Sequence, residues 1–339
     1  MKEYLKKIFI ITIFLYSTYG YSKSIIYLKI LNKPDKDSVE LRDYLKDIFR
    51  YKDNSIIEPI VINNSEFKYV LENKNYKIVS LVYLSDWRYY NDIITISPEI
   101  FIMPNDSLYI EFDFKDISNT IFFKGKTSKE NKFLYDFYNC FYEKTDAKHK
   151  VLMNLDYKNF VNNIDSLKLL REKYFIKNYN NNNKDFLNFM NAKINYTIVL
   201  KYSNYKDYHN NGFNVFNNNK DSSDYYNRYK SYYTIINKFF ISPTYLCAMS
   251  LIFNDKYDNY INNTKDEDEM YFFKKEYRKF KFKNALYLFD FILAYNIAQG
   301  RFSNDVVDYY ESLFPNSEYL KYARNRWNKI NVKAHPSHF

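Results

Sequence analysis

The chain has 339 residues, 46% of them hydrophobic and 21% aromatic, and this composition excludes an intrinsically disordered protein. The formal charge of +10 would suit a nucleic-acid or anionic-membrane partner, but the lysines are scattered among Asp and Glu and form no basic stripe, so we expect no nucleic-acid partner. Only four glycines are present, which excludes the Gly-rich loops of P-loop and dinucleotide-binding proteins.

The first residues predict an export signal. Three lysines lie among the first seven residues, an apolar run follows over 8–16, and small residues such as Gly20 and Ser22 come after it. The run is shorter than a membrane-spanning helix and has the three-part layout of a secretory leader. We therefore predict a signal peptide over 1–22, no transmembrane segment, and a protein exported to the periplasm or cell envelope.

Residues 24–126 have the pattern of β-strands. Short runs rich in β-branched and aromatic residues are separated by turns that contain Asn and Pro, and in 107–114 (SLYIEFDF) apolar and polar residues alternate. Alternation places one face of a strand inward and the other outward. The pattern predicts an antiparallel β-sandwich domain over 24–126, interrupted by a helical insertion over 38–51.

From Thr127 onward the apolar residues recur at helical spacing. Thr127 and Glu130 have the spacing of a capping box at a helix start, and successive amphipathic segments follow, with Tyr and Phe stripes that predict core packing. We predict an all-α domain of packed helical hairpins over 127–331, which makes the fold class α+β. Polar stretches within it predict exposed loops at 178–184, 204–221 and 254–269.

The chain contains two cysteines. Cys140 and Cys247 lie on apolar faces of predicted helices, and neither belongs to a Cys-x-x-Cys pair, which excludes a redox-active dithiol or a zinc site at these positions. In an oxidising compartment the two could form a disulfide. The alternative is two separate buried thiols that behave as small hydrophobic residues.

No metal, cofactor or catalytic site is predicted. His149, His209, His335 and His338 lack the spacing of metal ligands, and no nucleophile elbow or other catalytic motif occurs. We therefore expect that the protein is not an enzyme.

The best candidate for a binding surface is the aromatic group Trp87, Tyr89 and Tyr90 in the segment LSDWRYY. Such rings could stack on a peptide or glycan, or they could form an ordinary turn that packs its aromatic residues.

Two segments, EIFIMPNDSLYIEFDF and FKGKTSKENKFLYDFY, resemble the N-terminal region of the TlpA-type exported thioredoxin-like thiol-disulfide oxidoreductases of Bacteroidota. Pro104-Asn105-Asp106 resembles the family's Pro-Gly-Asp turn, since Asn tolerates the left-handed backbone that Gly favours. Phe123-Lys124-Gly125 and Asn131-Lys132-Phe133-Leu134 resemble the segment that opens its first helix. Ser242-Pro243-Thr244-Tyr245-Leu246 and Phe314-Pro315-Asn316-Ser317 resemble two later helix starts.

The resemblance implies that 332–339, with His335-Pro336, is the remnant of a linker into a catalytic thioredoxin domain whose Trp-Cys-x-x-Cys is absent from this sequence. We therefore expect a non-catalytic N-terminal module that docks to, or presents substrates to, a thioredoxin-like or other envelope protein. The alternative is a stand-alone exported protein that binds a peptide or glycan through an aromatic surface.

Overall fold

The computed structural model describes the following residues: 22–33, 38–43, 60–62, 64–73, 75–84, 93–145, 149–210, 224, 227–228, 231–232, 242–264 and 269–334. The predicted signal peptide up to residue 21 and the predicted linker remnant from residue 335 lie outside these ranges. The protein is mixed α/β, with sheets in its N-terminal region and helices in its C-terminal region.

Eight strands occur in the described ranges: β1 (Ser22–Leu31), β2 (Ser38–Asp43), β3 (Ile60–Ile62), β4 (Glu66–Asn73), β5 (Lys77–Leu84), β6 (Ile93–Ile102), β7 (Ser107–Asp113) and β8 (Phe122–Lys124). They form two four-stranded sheets. The first has the strand order β4-β1-β7-β8 and the second has the order β3-β2-β5-β6.

Central strand β1 of the first sheet shows why its sequence forms a half-buried strand. Ser24, Ile26, Leu28 and Ile30 are buried, and the residues between them are exposed or half-buried. This is the period of two that a strand requires when one face packs on a core.

The first sheet is not wholly antiparallel, so that part of the prediction is wrong. β1 pairs antiparallel with β4 but parallel with β7, from Ile25 opposite Ser107 to Leu31 opposite Asp113. Parallel neighbours need a long connection between them, and here the chain forms β2 to β6 before it returns as β7.

The helix predicted over 38–51 is also wrong for its first part. Residues Ser38–Asp43 are strand β2, in which Val39, Glu40 and Leu41 are all buried. β2 lies between β3 and β5, and pairing on both sides outweighs a local spacing that suits a helix. Residues 44–51 lie outside the described ranges.

Ten helices occur in the described part of the chain: α1 (Ile117–Thr120), α2 (Ser128–Thr145), α3 (His149–Met153), α4 (Tyr157–Asn178), α5 (Lys184–Asn210), α6 (Pro243–Asn263), α7 (Glu269–Phe282), α8 (Leu286–Ala298), α9 (Asn304–Leu313) and α10 (Leu320–Ala334). None of these helices combines the length and the apolar character that crossing a membrane requires.

Two of the predicted loops begin as helix. α5 continues to Asn210 and α6 to Asn263, so the loops predicted at 204–221 and 254–269 are wrong for their first residues. The polar side chains there pair across neighbouring helices, since Lys206 Nζ of α5 lies 2.6 Å from Asp255 Oδ1 of α6. The stretch 179–183 between α4 and α5 is non-helical, as predicted.

The chain divides into two compact units, one of Met1–Glu40 with Val61–Lys132 and one of Leu41–Ile60 with Phe133–Phe339. In the second unit, α8 contacts α6, α7, α9 and α10, and it is apolar around most of its circumference. The Tyr and Phe stripes of the sequence build this core, in which Tyr202, Tyr205, Tyr245 and Tyr310 are fully buried.

Candidate functional site

The aromatic group predicted as a binding surface, Trp87, Tyr89 and Tyr90, lies outside the described residues. Its role therefore stays a prediction.

The two cysteines are free thiols. Cys140 lies on α2 and Cys247 lies on α6, so the disulfide that the sequence left open is not formed in this structure. Burial raises the pKa of the Cys247 thiol to about 12. Since the thiolate is the nucleophilic form, Cys247 is poorly suited to thiol-disulfide exchange.

No metal centre is formed by the part of the chain that the structure describes, since it contains no cluster of three or more His, Cys, Asp and Glu side chains. His149 is the first residue of α3 and His209 lies in the last turn of α5. His335 and His338 lie outside the described ranges.

The outward face of the first sheet instead groups aromatic side chains with lysines and carboxylates, and we call it the open face. Tyr27 of β1 lies opposite Lys68 of β4 on one side and opposite Tyr109 of β7 on the other. Tyr109 in turn lies opposite Lys124 of β8, next to Phe122. The open face therefore carries a row Lys-Tyr-Tyr-Lys across four strands, with a third aromatic ring beside it.

Four of these five side chains are exposed, and Tyr109 is half-buried. Phe122 is 54% exposed, Tyr27 is 36% exposed, and Lys68 and Lys124 are exposed. The Lys68 ammonium lies 5.5 Å from the centre of the Tyr27 ring, within the range of a cation–π contact. The rings thus remain available to stack on a ligand, with a positive charge at each end of the row.

A hydrogen bond and an ion pair hold the Tyr109 ring in place. The Tyr109 hydroxyl donates to the Glu111 carboxylate, and Lys29 Nζ lies 3.4 Å from Glu111 Oε2. This hydrogen bond is the main reason why the pKa of Tyr109 is raised to about 12 and the pKa of Glu111 is lowered. Tyr109 therefore stays neutral at physiological pH, with its hydroxyl engaged by Glu111.

The turn before β7 and the segment after β8 fix these two strands. Asn105 has a φ of 58°, the left-handed conformation that Asn tolerates. The next residue, Asp106, is buried and its carboxylate accepts hydrogen bonds from the Lys126 backbone N–H at 3.1 Å and from the Thr127 hydroxyl. A buried carboxylate with such partners connects the start of β7 to the end of β8.

Asn131 connects α2 to the second sheet in a similar way. Its side-chain Oδ1 accepts from the Phe101 N–H at 2.7 Å, and its Nδ2 donates to the Phe101 C=O at 2.9 Å. The amide of Asn131 thus takes the place of a neighbouring strand for one residue of β6. Thr127 also belongs to this network, because Asn131 Nδ2 lies 3.2 Å from its hydroxyl oxygen.

Sequence reasoning missed the open face as a unit. The alternation in 107–114 places Tyr109 outward, but which residues of β1, β4 and β8 lie beside it depends on strand order and register.

Comparisons of the chain with protein-family models, with curated proteins and with solved structures give no match. The resemblance to the TlpA-type oxidoreductases therefore stays a prediction from the sequence.

Proposed function

We propose that this protein is a non-catalytic binding module and that its open face binds an extended acidic glycan. One observation carries the proposal: the exposed rings of Tyr27 and Phe122 and the half-buried ring of Tyr109 lie on adjacent strands of one sheet face, flanked by Lys68 and Lys124. Large rings grouped on a surface are typical of binding sites rather than of a protein's ordinary exterior.

The position of the rings favours a glycan over a peptide. Peptides that bind sheets usually add a strand at an edge, where backbone groups are unpaired. Tyr27 and Tyr109 lie on the two central strands, whose backbone groups are already paired on both sides. Only side chains can contact a ligand there, and flat rings suit the apolar faces of sugar rings. Lys68 and Lys124 lie beside the rings and can pair with carboxylates of a ligand, while the nearest carboxylate of the face, Glu111, is already engaged by Tyr109 and Lys29.

The test is binding of alginate, a polymer of uronic acids, measured by isothermal titration calorimetry. Tyr27→Ala with Phe122→Ala should lower the affinity at least about tenfold, because each ring contributes about 1 kcal/mol of contact energy. Tyr271→Ala is the matched control, since Tyr271 is 54% exposed and belongs to α7 rather than to a strand of the first sheet. Unchanged affinity in the double variant, or equal binding of poly-glutamate through the same rings, would contradict a glycan site.

A second candidate is the docking or substrate-presenting module of a thiol-disulfide oxidoreductase-like envelope protein. The motifs that carry this resemblance, at Asp106, Thr127 and Asn131, belong to one hydrogen-bonded network, which supports a common structural purpose for them. The protein should then not accelerate insulin reduction by dithiothreitol, since neither thiol has the setting of an exchange site. Turnover above background by the wild type would contradict the non-catalytic assignment.

We also infer that the two sheets pack as a sandwich and that the helices pack as hairpins.

We infer further that the protein is exported. β1 begins at Ser22 and pairs there with Asn73. Cleavage of the leader after Gly20 would therefore leave β1 whole, whereas cleavage after Ser22 would remove its first residue. N-terminal sequencing of protein from the periplasmic fraction checks this, and an uncleaved Met1 would contradict it.

A further inference from the structure

Helix α7, which is fourteen residues long, presents several basic side chains on one side. Seven residues of α7 are exposed, namely Lys279 and six that share one side of the helix: Tyr271, Lys274, Lys275, Arg278, Lys281 and Phe282. We call this set the basic face. Residues at i, i+4, i+7 and i+11 lie in line on a helix, so Tyr271, Lys275, Arg278 and Phe282 form its centre.

The two acidic residues of α7 have partners on other parts of the chain. Glu276 is buried and forms an ion pair with Lys256 of α6. Glu269 accepts hydrogen bonds from the hydroxyls of Tyr257 and Ser303. Neither carboxylate therefore neutralises the cations on the basic face.

Large aromatic side chains accompany the charges. Phe282 is 86% exposed and Tyr271 is 54% exposed, at the two ends of the basic face. Phe282 also lies between Lys281 and Lys283 in the sequence. An exposed ring next to ammonium groups is the arrangement by which amphipathic helices insert apolar groups just below charged lipid headgroups.

We propose that the basic face binds the surface of an anionic membrane, with Phe282 inserted at the level of the headgroups. The lysines and Arg278 complement the phosphates of acidic lipids, and each basic residue near such a surface favours binding about five-fold. The acidic run at 266–268 precedes the helix in the sequence and α7 begins with Glu269, so the part of α7 from Lys274 onward makes the contact. This proposal rests on α7 alone and is independent of the open face.

The experiment is co-sedimentation of the purified protein with vesicles of phosphatidylglycerol and phosphatidylcholine at several salt concentrations. The wild type should bind these vesicles, lose binding as salt rises, and not bind vesicles of phosphatidylcholine alone. Lys274→Gln with Arg278→Gln should lower the partition coefficient at least about tenfold, as two basic contacts are lost. Phe282→Ala should lower it several-fold and leave the salt dependence unchanged.

Matched controls separate a specific face from general charge. Lys173→Gln with Lys177→Gln removes two exposed lysines from α4 and should leave vesicle binding unchanged. Because all these side chains are exposed, the variants should keep the wild-type circular dichroism spectrum and melting temperature. The proposal is overturned if the α4 variant loses as much binding as the α7 variant. It is also overturned if soluble polyphosphate competes fully and Phe282→Ala has no effect, which would indicate a soluble polyanion as the partner.

Discussion

Asp290 of α8 lies against the turn that precedes α10. Its Oδ1 accepts hydrogen bonds from the Tyr310 hydroxyl at 2.9 Å and from the Ser317 hydroxyl at 2.7 Å. Burial is the largest influence on this carboxyl and raises its pKa from the ordinary 3.8 to about 6, while the two hydroxyls oppose the rise and Glu318 adds to it. The native state therefore binds the proton of Asp290 more tightly than the unfolded chain does.

This preference makes stability depend on pH in a predictable direction. Below about pH 4 the carboxyl is protonated in both the native and the unfolded chain, so no stability is lost. Between about pH 4 and pH 6 the unfolded chain releases the proton first, and the free energy of unfolding falls by about 3 kcal/mol in all. Asp290→Asn keeps an acceptor oxygen but does not titrate, so the fall should be absent from it.

Urea denaturation of both proteins at pH 4.5, 5.5 and 7.0 measures the effect. At each pH, the free energy of unfolding of the Asp290→Asn variant is subtracted from that of the wild type. The difference reports this carboxyl, because all other titrating groups are common to the two proteins. A difference that is constant across these pH values would contradict the assignment. Sequence alone does not locate this site, because Asp290, Tyr310 and Ser317 come together only through packing of α8, α9 and the turn.

At the scale of elements, the close approach of β7 and the segment after β8 depends on Gly125. Gly125 has a φ of 136°, and a Cβ placed there would lie 2.2 Å from the Ser107 carbonyl oxygen. A backbone oxygen cannot rotate away as a side chain can, so the two strands would have to separate. Gly300 is the natural comparison: its φ is 72° and a Cβ there would lie 3.0 Å from a methyl carbon of Ile330.

We predict that Gly125→Ala lowers the free energy of unfolding by about 3 kcal/mol, from backbone strain and the steric clash together. Gly300→Ala should lower the free energy of unfolding by about 1 kcal/mol, because alanine is strained in the left-handed conformation while the Ile330 side chain can shift to avoid the new Cβ. Chemical denaturation of the two variants beside the wild type checks both values. Equal losses would show that the approach to Ser107 is not a constraint.

Sequence patterns predicted some elements better than others. The Thr127–Glu130 spacing and the change of the apolar spacing from strand-like to helix-like placed the start of α2 within a residue of Ser128, because both signals are local. β2 was missed since its environment comes from β3 and β5, and the ends of α5 and α6 were missed since Lys206 and Asp255 satisfy each other across two helices. Local patterns cannot carry information about partners that are distant in sequence.

For the whole molecule, composition states how much charge is present but not where it lies. The excess of +10 has no visible stripe along the sequence, yet α7 exposes Lys274, Lys275, Arg278 and Lys281 on one side. The grouping emerges because Glu276 turns inward to Lys256 while the cations turn outward. The open face illustrates the same limit, since Tyr27 and Tyr109 become neighbours only through a parallel pairing that alternation cannot predict.

The parallel pairing of β1 with β7 also sets the order in which the N-terminal region can fold. β1 is a central strand, but one of its two neighbours is made only after β2 to β6 have been synthesised. Sheets that join strands so distant in sequence have high contact order and form slowly. During synthesis the first sheet must therefore remain incomplete until β7 has been made, and one side of β1 keeps unpaired backbone groups until then.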